Sequence, residues 1–107
     1  MADPVFARIE KDVREHPIVI YMKGTPTFPQ CGFSGMTVRI FQELGVPFET
    51  RNVLEDAELR QGIKDYSSWP TIPQIYLGGK FIGGCDIVRD LFESGELRKL
   101  VDEALKA

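Results

Sequence analysis

The sequence has few of the residues that bind metals or cross-link small folds. Its 107 residues include two cysteines and one histidine. Two cysteines are too few for a disulfide framework, and in a reducing compartment they more often serve catalysis, redox chemistry or metal binding. The lone histidine, His16, follows a predicted helix. Because a histidine metal site needs several ligands close by, we interpret it as a solvated residue.

Long apolar runs and clusters of basic residues are also missing. No apolar run approaches the roughly 20 residues that a membrane helix needs, and the first residues lack the basic and then hydrophobic pattern of a signal peptide. The net charge of -3 and the absence of a basic run give no footprint for nucleic acid. We therefore expect no membrane or nucleic-acid partner and a cytoplasmic protein, or an organellar-matrix protein if a transit peptide was removed.

The order of predicted elements indicates a single α/β domain over residues 1–107, long enough to bury roughly 65% of its unfolded surface. Asp3 and Pro4 predict the start of a first helix that runs to about residue 15, and the apolar run 18–22 predicts a strand buried on both faces. Seven further elements are predicted by spacing, turn residues and caps: a helix ending at Gly45, a strand over 48–53, a helix over 56–66, the two hairpin strands 74–77 and 80–82 with their turn at Gly78-Gly79, a helix capped by Asp86 and ending at Gly95, and an amphipathic helix over 97–105. This is the order of the thioredoxin fold, a central four-stranded mixed sheet flanked by about five helices.

The chemically distinctive stretch lies between the first strand and the second helix and contains Cys31. Unpaired N–H groups and aligned peptide dipoles at the start of a helix favour an anion, so its thiolate should form more easily than that of a free cysteine with a pKa of about 8.5. Ser34 stands where a dithiol enzyme has its second cysteine, so a mixed disulfide on Cys31 must be resolved by an external thiol or by Cys85. A plainer role for the Ser34 hydroxyl is to satisfy a free N–H at the helix start. Cys31 is therefore a candidate nucleophile or metal ligand.

Four motifs, in order and across nearly the whole chain, resemble those of the monothiol glutaredoxins of the Cys-Gly-Phe-Ser type. They are Lys23-Gly24-Thr25-Pro26, Pro29-x-Cys31-Gly32-Phe33-Ser34, Trp69-Pro70-Thr71-Ile72-Pro73-Gln74 and Gly83-Gly84-Cys85-Asp86-Ile87. A Cys-x-x-Ser alone would be weak, because so short a motif recurs by chance. The four together identify the chain as similar to this family.

The resemblance implies a site for glutathione, which carries two carboxylates, an ammonium and peptide groups. Lys23 and Arg60 are the expected partners of its glycine carboxylate, although Arg60 also fits a solvated helix charge. The extended backbone at Ile72 can pair with the tripeptide as an added strand. The resemblance further implies that the Pro73 peptide bond is cis, which is uncommon.

The start of the helix after the hairpin is expected to hold the other end of glutathione. The N–H groups at Cys85 and Asp86 can bind the γ-glutamyl carboxylate, while the Asp86 side chain faces the ammonium. Asp86 also fits a simple N-cap, and Cys85 fits an inert buried residue. Our hypothesis is that Cys85 contributes mainly its N–H, with a thiol that can pair with Cys31 under oxidation.

The resemblance also implies a 2Fe-2S cluster, with Cys31 as its protein ligand. Such a cluster usually takes four thiolates, which this chain does not have. Cys31 from each of two chains and two glutathione thiols would complete the set, in a homodimer when loaded and a monomer when apo. Gly32 would let the cluster approach the backbone, and Phe33 would shield it, unless Phe33 serves plain core packing.

We predict a cluster carrier in iron-sulfur biogenesis. The implied partners are glutathione, BolA-like proteins and iron-sulfur assembly or acceptor proteins. One alternative is a glutathione-dependent oxidoreductase that acts on mixed disulfides through Cys31. Another is an iron or redox sensor whose dimer changes partners with cluster occupancy.

Overall fold

The computed structural model describes residues 3–106 and has a four-stranded mixed sheet at its centre. Its elements are α1 (Pro4–Glu15), β1 (Ile18–Met22), α2 (Gly32–Leu44), β2 (Glu49–Asn52), a 3-10 turn (Val53–Glu55), α3 (Ala57–Ser67), β3 (Gln74–Leu77), β4 (Lys80–Gly83), α4 (Cys85–Ser94) and α5 (Glu96–Lys106). The strand order is β2-β1-β3-β4, with β1 parallel to β2 and antiparallel to β3. The predicted α/β thioredoxin fold is confirmed. No helix within residues 3–106 is long and apolar enough to cross a membrane.

Strand β1 is the centre of the molecule, as its apolar run predicted. All five of its residues are buried. Ile18, Ile20 and Met22 point into a core that they share with α2, α4 and α5. Val19 and Tyr21 point the other way, into a core shared with α1 and α3. Because both faces are covered, the loop that follows β1 begins at a fixed point in the middle of the sheet.

Most predicted element ends are found where local chemistry places them. The Asp3 side chain accepts a hydrogen bond from the backbone of α1 at 2.9 Å, and the left-handed Gly45 and Gly95 end α2 and α4. Gly78 and Gly79 both have positive φ angles, of 58° and 81°, as a two-residue hairpin turn requires. The sequence patterns therefore predicted the start of α1, the ends of α2 and α4, and the hairpin turn correctly.

The predicted cap of α4 was wrong. Gly84 occupies the N-cap position, and its carbonyl accepts from the Val88 N–H at 3.1 Å, so α4 begins at Cys85. Asp86 lies inside the first turn, where its exposed carboxylate is 3.6 Å from Arg89. The helix starts early because the backbone carbonyl of Gly84 begins its hydrogen-bond ladder, a feature that residue type alone does not reveal.

The second strand is shorter than predicted. It covers Glu49–Asn52 rather than residues 48–53. The Asn52 side chain accepts from the Leu54 N–H at 3.0 Å and starts the 3-10 turn Val53–Glu55. This local side-chain bond competes with continued strand pairing.

Gly62 lies in the middle of α3, where a glycine ordinarily weakens a helix. A Cβ at this position would come within 2.5 Å of Val5 Cγ1 on α1. The absence of a side chain therefore lets α1 and α3 approach closely on one face of the sheet.

Candidate functional site

An open cavity of about 470 Å³ lies where the loop after β1 meets the N-termini of α2 and α4 and the proline-rich segment before β3. Seven of the eight predicted site residues line it, namely Lys23, Cys31, Phe33, Ile72, Pro73, Cys85 and Asp86. These residues come from four separate parts of the chain. The fold thus brings the predicted residues into one place.

Arg60 is the predicted residue that does not line the cavity. It is exposed on α3, whereas Lys64, one helical turn later, lines the cavity wall. Residues four apart share a helix face, so the sequence could have identified Lys64 from Arg60. Trp69 and Thr71 also line the cavity. They lie within a motif that was recognised, but no role was predicted for them.

Cys31 is half-buried at the N-cap of α2. Its thiol makes no capping hydrogen bond. The pKa of Cys31 is nevertheless below its ordinary value, chiefly because the backbone N–H of Ser34 stabilises the thiolate, against an opposing effect of burial. Smaller contributions come from the Phe33 N–H, the positive charge of Lys23 and the Ser34 hydroxyl. This direction agrees with the expectation for a cysteine at a helix start.

Ser34 is fully buried, and its hydroxyl does not satisfy a helix N–H as its plainer role required. Instead, its Oγ accepts a hydrogen bond from the Lys23 N–H at 3.1 Å. The bond joins the residue that follows β1 to the first turn of α2. Ser34 therefore fixes both ends of the loop that carries Cys31.

The loop between Lys23 and Gln30 is tied by hydrogen bonds at several points. The Gln30 N–H donates to the Lys23 carbonyl at 2.9 Å, and the Gly24 N–H donates to Asn52 Oδ1 at 2.9 Å. Gly24 has a φ of 94°, and a Cβ there would collide with the Phe28 carbonyl oxygen. Glycine is therefore needed for the loop to close on itself, and the closed loop holds Phe28 at its tip.

Two aromatic side chains on this side of the molecule face solvent. Phe28 is 72% exposed and Phe33 is 60% exposed. Core packing is therefore excluded as the role of Phe33. Ile87, at the start of α4, is 39% exposed and also lines the cavity. Phe33 and Ile87 therefore give the cavity an apolar rim near the Cys31 thiol, whose pKa is lowered, and Phe28 lies outside the lining.

The proline-rich segment presents backbone to the cavity. The Ile72-Pro73 peptide bond is cis, as the family resemblance implied. The Ile72 side chain is buried in the core between α1, α3 and the sheet, although the residue also lines the cavity. Because the side chain packs in this core, we expect a ligand in the cavity to meet the main chain of Ile72.

The start of α4 forms the opposite wall. Cys85 is its first residue and is 5% exposed, so its thiol is largely covered. The first N–H groups of a helix have no partner within the helix and carry its positive dipole end. A Cβ on Gly84 would lie 3.4 Å from the Pro73 carbonyl oxygen and 3.5 Å from Trp69 Nε1. These are ordinary contact distances, so the start of α4 packs against the proline segment without requiring a glycine there.

No group of three or more histidine, cysteine, aspartate or glutamate side chains within residues 3–106 has a geometry suited to a metal ion. Cys31 and Cys85 are both free thiols. A metal or cluster held at Cys31 would therefore need donors from outside these residues.

A model of the family described as Glutaredoxin matches residues 18–82. The chain is 54% identical over 99 residues to an uncharacterized monothiol glutaredoxin ycf64-like protein of Synechocystis sp., covering 92% of each chain. Further relatives with chloroplastic and mitochondrial names, from rice, Arabidopsis thaliana and the yeast Lachancea kluyveri, are 51–53% identical, and the chain spans 56–69% of their length.

Solved structures with the same fold include glutaredoxins. The solution structure of reduced poplar apo GrxS14 is 50% identical with a TM-score of 0.84, over 94% of this chain and 93% of that one. A buckwheat glutaredoxin-glutathione complex is 23% identical with a TM-score of 0.83, over 94% and 89% of the two chains, and is similar in fold.

Proposed function

The chain belongs to the glutaredoxin family as a monothiol member, and on that premise we propose that it carries a 2Fe-2S cluster from an assembly machine to acceptor proteins. The cluster is cargo in this proposal. Cys31 thiolates from two copies of the chain and the thiols of two glutathione molecules supply its four sulfur ligands. The two copies form a homodimer while the cluster is bound and separate when it leaves.

One observation carries the proposal. Cys31 is a half-buried thiol with a lowered pKa at the mouth of an open cavity, and a buried serine stands three residues after it. A site of this kind offers a cluster one protein ligand per chain. The other ligands come from solution and leave readily, which favours transfer over storage.

Glutathione is proposed to lie in the cavity beside Cys31. Lys23 and Lys64 line the cavity and supply positive charge for the glycine carboxylate, with Arg60 as a further candidate one turn before Lys64. The backbone of Ile72 pairs with the tripeptide as an added strand. A buckwheat protein of the same fold was crystallised in complex with glutathione, which supports this ligand.

The γ-glutamyl end of glutathione is proposed to meet the start of α4. The N–H groups of Cys85 and Asp86 lie in its first turn and favour a carboxylate. The exposed Asp86 carboxylate, which lies 3.6 Å from Arg89, is proposed to bind the ammonium. In this proposal each carboxylate of glutathione lies near a positive charge or a helix N-terminus, and its ammonium lies near a carboxylate.

Anaerobic reconstitution tests the cluster proposal. The wild-type protein, incubated with iron, sulfide and glutathione, should gain visible absorption and elute as a dimer. Cys31→Ser should remain colourless and monomeric, whereas Cys85→Ser, which keeps its backbone N–H, should still take up the cluster. A wild-type protein that stays colourless while turning over disulfides, or a Cys31→Ser variant that holds the cluster, would refute the proposal.

A second candidate function is glutathione-dependent reduction of mixed disulfides. The lowered pKa of Cys31 and its position in the lining of the open cavity favour this function. The Cys31 thiolate would attack the glutathione sulfur of a glutathionylated protein and release that protein's thiolate. A second glutathione thiolate would then attack the sulfur of glutathione on Cys31. This step regenerates the Cys31 thiolate and yields glutathione disulfide, so electrons and sulfur atoms balance.

Cys85 is proposed to act mainly through its N–H, with a thiol that can close a disulfide with Cys31. Both residues line the same cavity. With glutathione disulfide as oxidant, Cys31 would first be glutathionylated and the Cys85 thiolate would then displace glutathione. Peptide mass analysis after this treatment should reveal a Cys31–Cys85 bridge; glutathione adducts on Cys31 without any bridge would refute it.

Proposed partners are BolA-like proteins and iron-sulfur assembly or acceptor proteins. Phe33, which lines the cavity with Cys31, and Phe28, at the tip of the loop before it, are both exposed, which supports docking at this side of the molecule. The proposed compartment is the cytoplasm, and an organellar matrix is the alternative that relatives with chloroplastic and mitochondrial names favour.

A further inference from the structure

Gln74 is a polar residue in the centre of the molecule. It is the first residue of β3, pairs with Tyr21 of the central strand β1, and has no exposed surface. A buried amide is unfavourable unless its N–H and C=O groups are bonded. The partners of this side chain therefore indicate why a glutamine stands here.

The Gln74 amide is directed at the proline-rich segment beneath the cavity. Its Nε2 donates to the Trp69 carbonyl at 3.0 Å and to the Thr71 carbonyl at 3.2 Å. The Tyr76 hydroxyl donates to its Oε1 at 3.4 Å. Because the two carbonyls can only accept, the NH₂ group and not the oxygen must face the segment.

The segment has few other means of holding its shape. Pro70 and Pro73 have no N–H to donate. The N–H of Trp69 is bonded to Ser67 Oγ at 3.1 Å, which ties the start of the segment to α3. The Thr71 carbonyl, in the middle of the segment, is held by Gln74.

The bond to the Thr71 carbonyl also determines the direction of the next N–H. Within residues 3–106 the cis peptide bond is Ile72-Pro73, so the Thr71–Ile72 bond is trans. In a planar trans peptide the C=O and N–H point in opposite directions. With the Thr71 carbonyl drawn toward the buried Gln74, the Ile72 N–H is directed away from the core, and Ile72 lines the cavity.

We infer that Gln74 is a positioning residue, which binds the Trp69 and Thr71 carbonyls from below and thereby presents the Ile72 N–H to a peptide carbonyl in the cavity. This inference rests on the proposed glutathione site. It adds a buried residue that never touches the ligand but prepares the segment that does. Preorganisation of this kind increases affinity by removing the cost of ordering the segment on binding.

Two variants separate this role from general stability. Gln74→Met keeps the length of the side chain and removes both donated bonds. Tyr76→Phe keeps the ring and both Gln74 donors and removes only the hydroxyl bonded to Oε1. Both variants should unfold at lower temperature than the wild type, because each leaves a buried polar group without its partner.

Glutathione affinity, measured by calorimetry well below the unfolding temperature, should then distinguish the two. Gln74→Met should bind about tenfold more weakly, whereas Tyr76→Phe should stay within about twofold of the wild type. The rate at which iodoacetamide alkylates Cys31 should be unchanged in both. Equal affinities for Gln74→Met and the wild type would overturn this inference alone, and no binding by the wild type would overturn the proposed function with it.

A measurement on the wild type keeps the inference testable if Gln74→Met fails to fold. Saturation with glutathione should shift the nuclear magnetic resonance signals of the Gln74 side-chain NH₂ and the Ile72 N–H and slow the exchange of the Gln74 amide hydrogens with solvent. The exposed side chain of Gln42, on α2, serves as the internal control. Gln74 signals that do not move while other cavity residues shift would contradict the role assigned to it.

Discussion

The backbone N–H of Lys23 donates to Ser34 Oγ at 3.1 Å, and this bond joins the end of the central strand to the helix that begins beside Cys31. Ser34 is fully buried. In a dithiol enzyme a thiol would stand at this position. Here the Ser34 hydroxyl holds the loop closed. Ser34 thus takes the place of a resolving cysteine and also fixes the loop that carries the Cys31 thiol.

Ser34→Ala tests this relationship. It leaves the Lys23 N–H without its acceptor, so the free energy of unfolding should fall by about 1–3 kcal/mol. The pKa of Cys31 should rise, because the Ser34 hydroxyl contributes to its lowering. Urea unfolding and the pH profile of Cys31 alkylation measure the two effects. A variant unchanged in both would contradict a role for this bond.

The lowered pKa of Cys31 predicts a pH dependence of stability. Because the thiolate is favoured in the folded state, this stabilisation is fully present above the unfolded-chain pKa of about 8.5. It is lost as the pH falls through the lower pKa of the folded state. The difference in unfolding free energy between the wild type and Cys31→Ser should therefore grow as the pH rises through this window. A difference that is constant with pH would contradict the lowered pKa.

The close approach of α1 and α3 predicts that Gly62→Ala is destabilising, although alanine favours helices. The new Cβ meets Val5 on α1 at 2.5 Å, so the free energy of unfolding should fall by about 1–3 kcal/mol. Gly32→Ala is the control, because a Cβ at Gly32 would have no heavy atom within 4 Å apart from its chain neighbours and its own helix backbone. Combining Gly62→Ala with Val5→Ala should cost less than the sum of the single changes; strict additivity would show that the two residues do not interfere.

Lys64 and Arg60 lie on the same face of α3, but we expect them to contribute differently to glutathione affinity. Lys64 lines the cavity and Arg60 does not. If Lys64 binds a carboxylate, Lys64→Ala should weaken affinity by about tenfold or more, as expected for a charged hydrogen bond, and Arg60→Ala should have a smaller effect. Calorimetry with each variant measures this. A larger loss for Arg60→Ala would assign the carboxylate to Arg60, as the family resemblance implied.

The features predicted well from the sequence are those that depend on neighbours in the chain. The buried strand Ile18–Met22 follows from one apolar run, the hairpin from Gly78-Gly79, and the place of Cys31 from the strand before it and the helix after it. Each needs only local backbone preferences. These patterns were enough to predict the fold, whereas the glutathione-site residues that line the cavity were predicted from the family resemblance.

The features missed depend on how elements pack. Whether Arg60 or Lys64 reaches the cavity depends on the orientation of α3 against the sheet. Gly62 looks like a weakness until α1 lies against it. Gln74 reads as an ordinary polar residue until its burial and its two carbonyl partners are known. Spacing along the chain places Lys64 on the same helix face as Arg60, but it does not show which of the two reaches the cavity, nor does it show the contacts of Gly62 and Gln74.

The most direct test of the central claim is a titration of the ¹⁵N-labelled wild-type protein with glutathione, followed by nuclear magnetic resonance. The account predicts that the largest shifts occur in the cavity, at Cys31, Ile72 and the first turn of α4, and that Lys64→Ala weakens them. Shifts confined to the separate groove lined by Leu77 and Leu100, or the absence of shifts near Cys31 at saturating glutathione, would contradict it.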